Sequence, residues 1–225
     1  MNKKLLFKKK SGVNIFIKHF AIGIGYAVIL MLFSVYCFSI THKCYSVVGE
    51  SMLPTIQSDG QGAYVGLESE YTYSDIVVCY NDEHTRLIKR LIAFGGDKIG
   101  YYYNSEIEFY EVAVIYKDSQ TVEILQEDYV SNKDGNAISY NNFITKNLDE
   151  KIFEFIEYEN QLIQFLVIPD GYVYILGDNR AVSRDCSTYG ALSDDFMIGK
   201  VELIVTYDYT QVFTIIGYLL GIRSN

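Results

Sequence analysis

Between Phe20 and Thr41 the chain carries 22 consecutive residues without a charge. At ~1.5 Å of rise per residue, a helix of that length extends about 33 Å, enough to cross the hydrocarbon core of a bilayer. Its flanks are unequal. Lys3, Lys4, Lys8, Lys9, Lys10 and Lys18 precede it, whereas only His42 and Lys43 follow closely. Cationic flanks stay on the cytoplasmic side, which predicts a cytoplasmic segment 1–19, a single-pass anchor 20–41 and an extracytoplasmic remainder 42–225. A removable secretory signal has a shorter apolar run, about 7–15 residues, and ends in an Ala-x-Ala pattern. Cys37-Phe38-Ser39-Ile40-Thr41 has no such pattern, so the segment reads as a retained anchor in the cell membrane.

From Lys43 onward the chain holds 13 basic and 28 acidic residues, a net charge of −15. A field of that sign repels phosphate backbones and argues against nucleic-acid binding. Cys37, Cys44, Cys79 and Cys186 lack metal-type spacing, and nothing in the sequence implies a metal or another cofactor. The cysteines read as core or surface thiols, with one disulfide left open.

Short runs rich in Val, Ile, Tyr and Phe dominate the remainder: 44–48, 75–80, 86–94, 108–117, 121–125, 151–158, 162–168, 172–176 and 200–209. Turn signals such as Asp59-Gly60, Gly95-Gly96-Asp97 and Asp134-Gly135 separate them. The fold class expected is mainly β, with a polar, turn-laden part, about 100–168, as a peripheral subdomain. Val212–Ile222, an apolar run of 11, is too short to span as a helix. It reads as a last strand packed on the domain's core or as a second membrane contact.

The first polar feature after the anchor is Gly49-Glu50-Ser51-Met52-Leu53-Pro54-Thr55. A serine on a turn between glycine and proline is a candidate nucleophile, provided that a base takes its proton. Of the three histidines, His19 and His42 bracket the anchor and His84 lies in a polar turn. A lysine serves as a base only when burial keeps it neutral. Most lysines lie in polar or basic surroundings, whereas Lys89 stands inside an apolar strand-like run, Arg86-Leu87-Ile88-Lys89-Arg90-Leu91-Ile92. On a strand Lys89 and Arg90 face opposite ways.

Four stretches in order carry a resemblance. They are Gly49–Thr55; Asp75-Ile76-Val77-Val78; Ile88–Ile92 with Gly96-Asp97-Lys98; and Gly177-Asp178-Asn179-Arg180 with Ser183, Asp185 and Gly190. Together they resemble the motif boxes of the bacterial type I signal peptidases. The resemblance implies a β-rich, membrane-bound serine endopeptidase that removes signal peptides from secretory preproteins. It gives Ser51 the role of nucleophile, Lys89 that of general base, and Ser183 that of orienting the lysine amine through a hydrogen bond. The Ser51 N–H is expected in the oxyanion hole. Gly49 stands where some members have a further hydroxyl, a feature common among Gram-positive relatives. Asp178, Arg180, Asp185 and Arg90 are expected to hold the site's loops by ion pairs.

Substrates of that family end in small residues at −1 and −3, which calls for two shallow apolar pockets beside an extended docking strand. Met52, Ile56 and Ile88 are expected around the −1 pocket and Val47 at the −3 pocket. The expected partners are preproteins and membrane lipid.

Two departures stand out. Asp185-Cys186-Ser187 lacks the arginine usual two residues after the aspartate, leaving Arg184 as a substitute partner. Gly95 replaces the proline usual before Gly96-Asp97, which predicts a looser turn. Three other kinds of protein share part of this pattern. Self-cleaving repressors with a similar dyad carry a DNA-binding segment in place of an anchor. A non-catalytic or narrowly dedicated factor in the assembly of surface proteins or pili can lack the serine or the lysine, and both are present here. A tethered β-rich binding domain leaves the order of the boxes unexplained.

Overall fold

The structure, a computed structural model, describes residues 3–58, 60–67, 70–130, 153–206 and 211–221. Contacts divide the chain into two units, Met1–His42 and Lys43–Asn225.

The first unit is the helix α1, Lys3–Thr41. Its stretch Asn14–Thr41 is long and apolar enough to cross a membrane, with a mean hydropathy of 2.2 in its most apolar window. Phe20, Leu30 and Phe33 are exposed. The helix therefore runs 17 residues further towards the N-terminus than the anchor 20–41.

The second unit holds two antiparallel sheets. The larger comprises β1 (His42–Ser46), β2 (Gln61–Gly66), β3 (Ile76–Tyr80), β4 (Arg86–Phe94), β10 (Tyr172–Leu176), β11 (Leu192–Ser193) and β12 (Met197–Thr206). Their spatial order is β1-β2-β12-β3-β4-β10-β11. A 3₁₀ turn, Asp194–Phe196, leads straight from the edge strand β11 into β12 on the far side of β3 and β4. That connection requires the sheet to curl into a half-barrel. The smaller sheet has the order β7-β6-β5-β9-β8, from β5 (Lys98–Asn104), β6 (Phe109–Ile115), β7 (Glu123–Ile124), β8 (Phe153–Tyr158) and β9 (Gln161–Val167). One core joins the two: Leu91, Tyr174 and Leu176 from the larger sheet pack with Ile99, Val112, Val114 and Leu166 from the smaller.

Most of the strands fall where the apolar runs placed them. β2, β5 and β11 do not: glycines dilute the pattern of the first two, and β11 has only two residues. In β12, a Cβ on Gly199 would come within 2.2 Å of the Gly66 carbonyl oxygen. The β2 backbone approaches so closely there that β12 needs glycine at this position. The C-terminal run differs more. Gln211–Leu219 forms a short helix, α3, rather than a strand, with the Tyr218 hydroxyl donating to Glu202 on β12 at 2.6 Å.

Gly95 does not loosen its turn. A Cβ there would lie 2.7 Å from the Pro169 carbonyl oxygen and 2.9 Å from Asp170 Cα, so the close approach excludes other residues. Asp97, 1% exposed, accepts from the N–H groups of Phe94 and Lys117, both at 2.8 Å, and from the Tyr73 hydroxyl at 3.0 Å. Three donors thus converge on the Asp97 carboxylate and cross-link the turn.

Candidate active site

Strand β4 is central, with β3 on one side and β10 on the other. Alternation sends Lys89 and Arg90 to opposite faces, and both are buried, at 3% and 8% exposure. Burying two adjacent cations is costly unless each is neutralised or paired, and the two are resolved differently.

Lys89 has no carboxylate partner among the described residues. Its Nζ lies 2.7 Å from Ser51 Oγ and 3.1 Å from the Ile88 carbonyl oxygen. Desolvation holds its pKa below that of an ordinary lysine, against the opposing fields of Asp185, Cys79, Asp178 and Cys186. The neutral amine is thereby favoured. It can accept the Ser51 proton while donating to the Ile88 carbonyl, which aims its lone pair at Oγ.

Arg90 is paired. Its Nε and one terminal nitrogen bind the two Asp178 carboxylate oxygens at 2.8 and 2.6 Å, and its other terminal nitrogen donates to the Ser74 carbonyl at 2.8 Å. Such a bidentate fork fixes both partners. Asp178 also accepts from the Thr55 hydroxyl, tying the serine loop to the loop after β10. The main chain reinforces this link. Asn179 N–H donates to the Ser51 carbonyl at 3.0 Å, and Asn179 Nδ2 donates to the Glu50 carbonyl at 3.1 Å.

The expected ion pairs are formed in part. Arg90 and Asp178 pair, but Arg180 pairs with Glu127 and also donates from Nε to the Gly177 carbonyl at 3.0 Å. Asp185 makes no ion pair, with Arg184 or with any other described residue. One of its oxygens accepts the Gly177 N–H at 2.8 Å, and the other accepts the Ser187 N–H at 3.0 Å and the Ser187 hydroxyl at 2.8 Å. It caps the short helix α2, Cys186–Tyr189. Three donors satisfy the carboxylate and take the place of the absent arginine.

Ser183 differs from its expected role. Its Oγ is buried with no hydrogen-bond partner among the described residues, and the Lys89 amine is engaged by Ser51 and Ile88 instead. The Ser183 side chain packs on Gly177, where a Cβ would come within 2.2 Å of Ser183 Oγ. Gly49 has φ of +92° with nothing within 4 Å of an added Cβ. Space is available there for a hydroxyl-bearing residue, but the left-handed backbone disfavours one. His84 is an exposed turn residue at φ of +56°. Burial pushes the Cys79 thiol up to about 12, so it remains protonated at neutral pH and is no rival nucleophile.

A cleft of about 620 Å³ opens in front of Ser51. Val47, Met52 and Ile88 line it, while the fully buried Ile56 stands behind them in an apolar cluster with Ala63. Ile56 therefore supports the pocket wall rather than forming it.

Sequence reading missed Glu127 and Tyr129, which come from the loop after β7. The Tyr129 ring lies 3.8 Å from the Arg90 guanidinium, and its hydroxyl donates to Glu127 at 2.9 Å. One short segment thus clamps both arginines beside the site. The Glu127 and Arg180 side chains are 8% and 2% exposed. Truncation of Glu127 leaves a buried, uncompensated guanidinium, which costs about 3–5 kcal/mol. Denaturant unfolding of Glu127→Ala is expected to show that loss, with Glu127→Gln intermediate; equal midpoints for all three proteins would contradict it.

Residues 17–206 match the family model described as signal peptidase, peptidase S26. Similar sequences include signal peptidase IB of Staphylococcus aureus strain COL and of strain Mu50. Each is 29% identical over 163 residues, covering 70% of this chain and 74% of the relative. A crystal structure of a signal peptidase I from Enterococcus faecalis V583 superposes with a TM-score of 0.38 at 21% identity, covering 60% of this chain and 98% of that one. A half-barrel bearing a lysine against a serine in a cleft, in a chain that matches this family over most of its length, defines the class: the chain belongs to the signal peptidase family, peptidase S26. Within that class it is a hydrolase of the signal peptidase I type, acting in protein secretion, with Gram-positive relatives.

Proposed function

We propose that the protein cuts signal peptides from preproteins after small residues at −1 and −3, with Ser51 as nucleophile and Lys89 as general base. The observation that carries this reading is the 2.7 Å approach of a buried, desolvated amine to a serine hydroxyl at the head of an apolar cleft. The neutral Lys89 amine takes the Ser51 proton as Oγ attacks the scissile carbonyl carbon. The negative charge formed on the carbonyl oxygen is met by the Ser51 N–H, which donates to no other described residue. The Lys89 ammonium then gives its proton to the departing amine, leaving an acyl ester on Ser51. Water repeats the sequence: Lys89 takes its proton, its oxygen attacks the ester, and the proton returns to Ser51 Oγ.

Val47, Met52 and Ile88 give the cleft an apolar lining beside Ser51, which suits small apolar side chains. The basic N-terminus and the apolar α1 support a membrane anchor with the N-terminus cytoplasmic and the catalytic unit outside. That orientation places the serine where an inserted preprotein presents its cleavage site.

The experiment is cleavage of a membrane-inserted preprotein with alanine at −1 and −3, by the protein and by Ser51→Ala. Cleavage after the −1 alanine by the parent alone is expected. Equal cleavage by the variant, or none by a folded parent, overturns the reading.

A further inference from the structure

The cleft lining has an uneven charge pattern. In a unit of net charge −15 from Lys43 onward, its only charged lining residues among the described residues are Lys89 and Arg86, and Lys89 is held towards neutrality by burial. Arg86 is therefore the one fixed charge facing whatever enters. The acidic turn residues Asp82 and Glu83 lie close in sequence but line a separate small cavity with Tyr172 and Phe196.

Arg86 is also held in place. Its guanidinium carbon lies 5.0 Å from the centroid of the Tyr45 ring, a cation–π distance. Tyr45 lines the cleft from β1 and Arg86 from β4, so the contact joins the two walls. Side chains two apart on an extended chain share a face. Ile88 and Arg86 form such a pair on β4, and Val47 and Tyr45 form another on the opposite wall. The Arg86–Tyr45 contact is thus the next step along the cleft after Ile88 and Val47, away from Ser51.

An extended peptide repeats its side-chain direction every second residue. If its −1 and −3 side chains face the recesses at Met52, Ile88 and Val47, the next one on that face is −5, and it meets Arg86. We infer that Arg86, braced on Tyr45, reads position −5 of the substrate and selects a carboxylate there over a cation. The inference rests on the proposed cleavage by Ser51 and Lys89 and adds a charge preference to it. Arg86 lies outside the proton-transfer machinery, so its part is selection and not chemistry.

Peptides with alanine at −1 and −3 and Glu, Gln or Lys at −5 test this with the full-length protein in detergent. The expected order of kcat/KM is Glu over Gln over Lys, with about tenfold between the extremes, as for an attraction and a repulsion at a partly exposed site. Near ~1 M salt, where the Debye length falls to about 3 Å, the spread should collapse. Arg86→Glu should reverse the order and Arg86→Gln should level it; Arg86 is exposed, so neither variant threatens the core. An unchanged order in Arg86→Glu, or no order in the parent, overturns the inference while leaving cleavage by Ser51 intact. Persistent cleavage of the same peptides by Ser51→Ala overturns the nucleophile and, with it, the inference.

Discussion

Lys89→Met is expected to abolish turnover, by ~10²–10⁴-fold or more, while the catalytic unit stays folded. Methionine fills a similar volume without an amine, so the Ser51 proton has no acceptor. A merely structural lysine would show the opposite balance, with stability falling and activity tracking the folded fraction. Stability against pH separates the two further. Desolvation lowers the Lys89 pKa in the folded chain below its ordinary value of 10.5. Between those two values the unfolded chain binds more protons than the folded one, so stability rises with pH through that window. The burial penalty is therefore full below the folded pKa and fades as pH approaches the unfolded one. Lys89→Met removes the penalty, so its Tm relative to the parent should be highest at low pH and decline towards pH 10.5. Buried tyrosines such as Tyr174, whose pKa burial also raises, ionise alike in both proteins and cancel in the difference. Activity of the parent should rise with pH as the neutral amine becomes populated. A constant Tm difference, a flat pH–rate profile or near-normal turnover in Lys89→Met would each contradict a neutral lysine base.

The approach of Lys89 to Ser51 was legible through the ordered stretches that resemble the signal peptidase motif boxes, because a serine in a turn and a lysine in an apolar run are ordinary features taken alone. Ser51 sits in a turn pattern, and Lys89 interrupts an apolar run whose strand bounds, Arg86–Phe94, the structure reproduces. What could not be read was how burial is shared around them. Alternation suggested that one of Lys89 and Arg90 points inward, but β4 is flanked by strands on both sides and packed on both faces, so both are buried. The Glu127–Arg180 pair joins residues 53 apart, and neither end belongs to a repeating local pattern. Only the folding of the smaller sheet against the larger brings that loop to the site. The fate of Asp185 was similarly hidden. Main-chain donors satisfy it, and main-chain geometry leaves little trace in residue types. Gly95 shows the reverse error, since the neighbouring Pro169–Asp170 backbone makes glycine obligatory where flexibility was expected.

Gly177→Ala is expected to cost about 1–3 kcal/mol of stability through overpacking and at least ~10²-fold in kcat/KM through displacement of the serine loop. The glycine lies where β10 gives way to the loop that carries Asp178, Asn179 and Arg180. An added Cβ would come within 2.2 Å of Ser183 Oγ, 2.6 Å of Ser183 Cβ and 2.6 Å of the Ser51 carbonyl oxygen. Rotation of the Ser183 side chain takes Oγ aside, since that hydroxyl has no hydrogen-bond partner among the described residues, but leaves its Cβ at 2.6 Å. The Ser51 carbonyl cannot move as easily, since it accepts the Asn179 N–H at 3.0 Å and sits on the loop that Thr55 fastens to Asp178. Relief therefore comes from shifting the Ser51 main chain away from β4, lengthening the 2.7 Å approach of Lys89 to Ser51 Oγ. Ser183→Gly in the same chain tests this route. It removes one of the two obstacles but leaves the carbonyl contact, so it should recover part of the stability and little of the activity. Full recovery of activity by the double variant would show that Ser183, rather than the Ser51 main chain, transmits the damage, and that the close packing of glycine against the serine loop is not what holds the nucleophile in line.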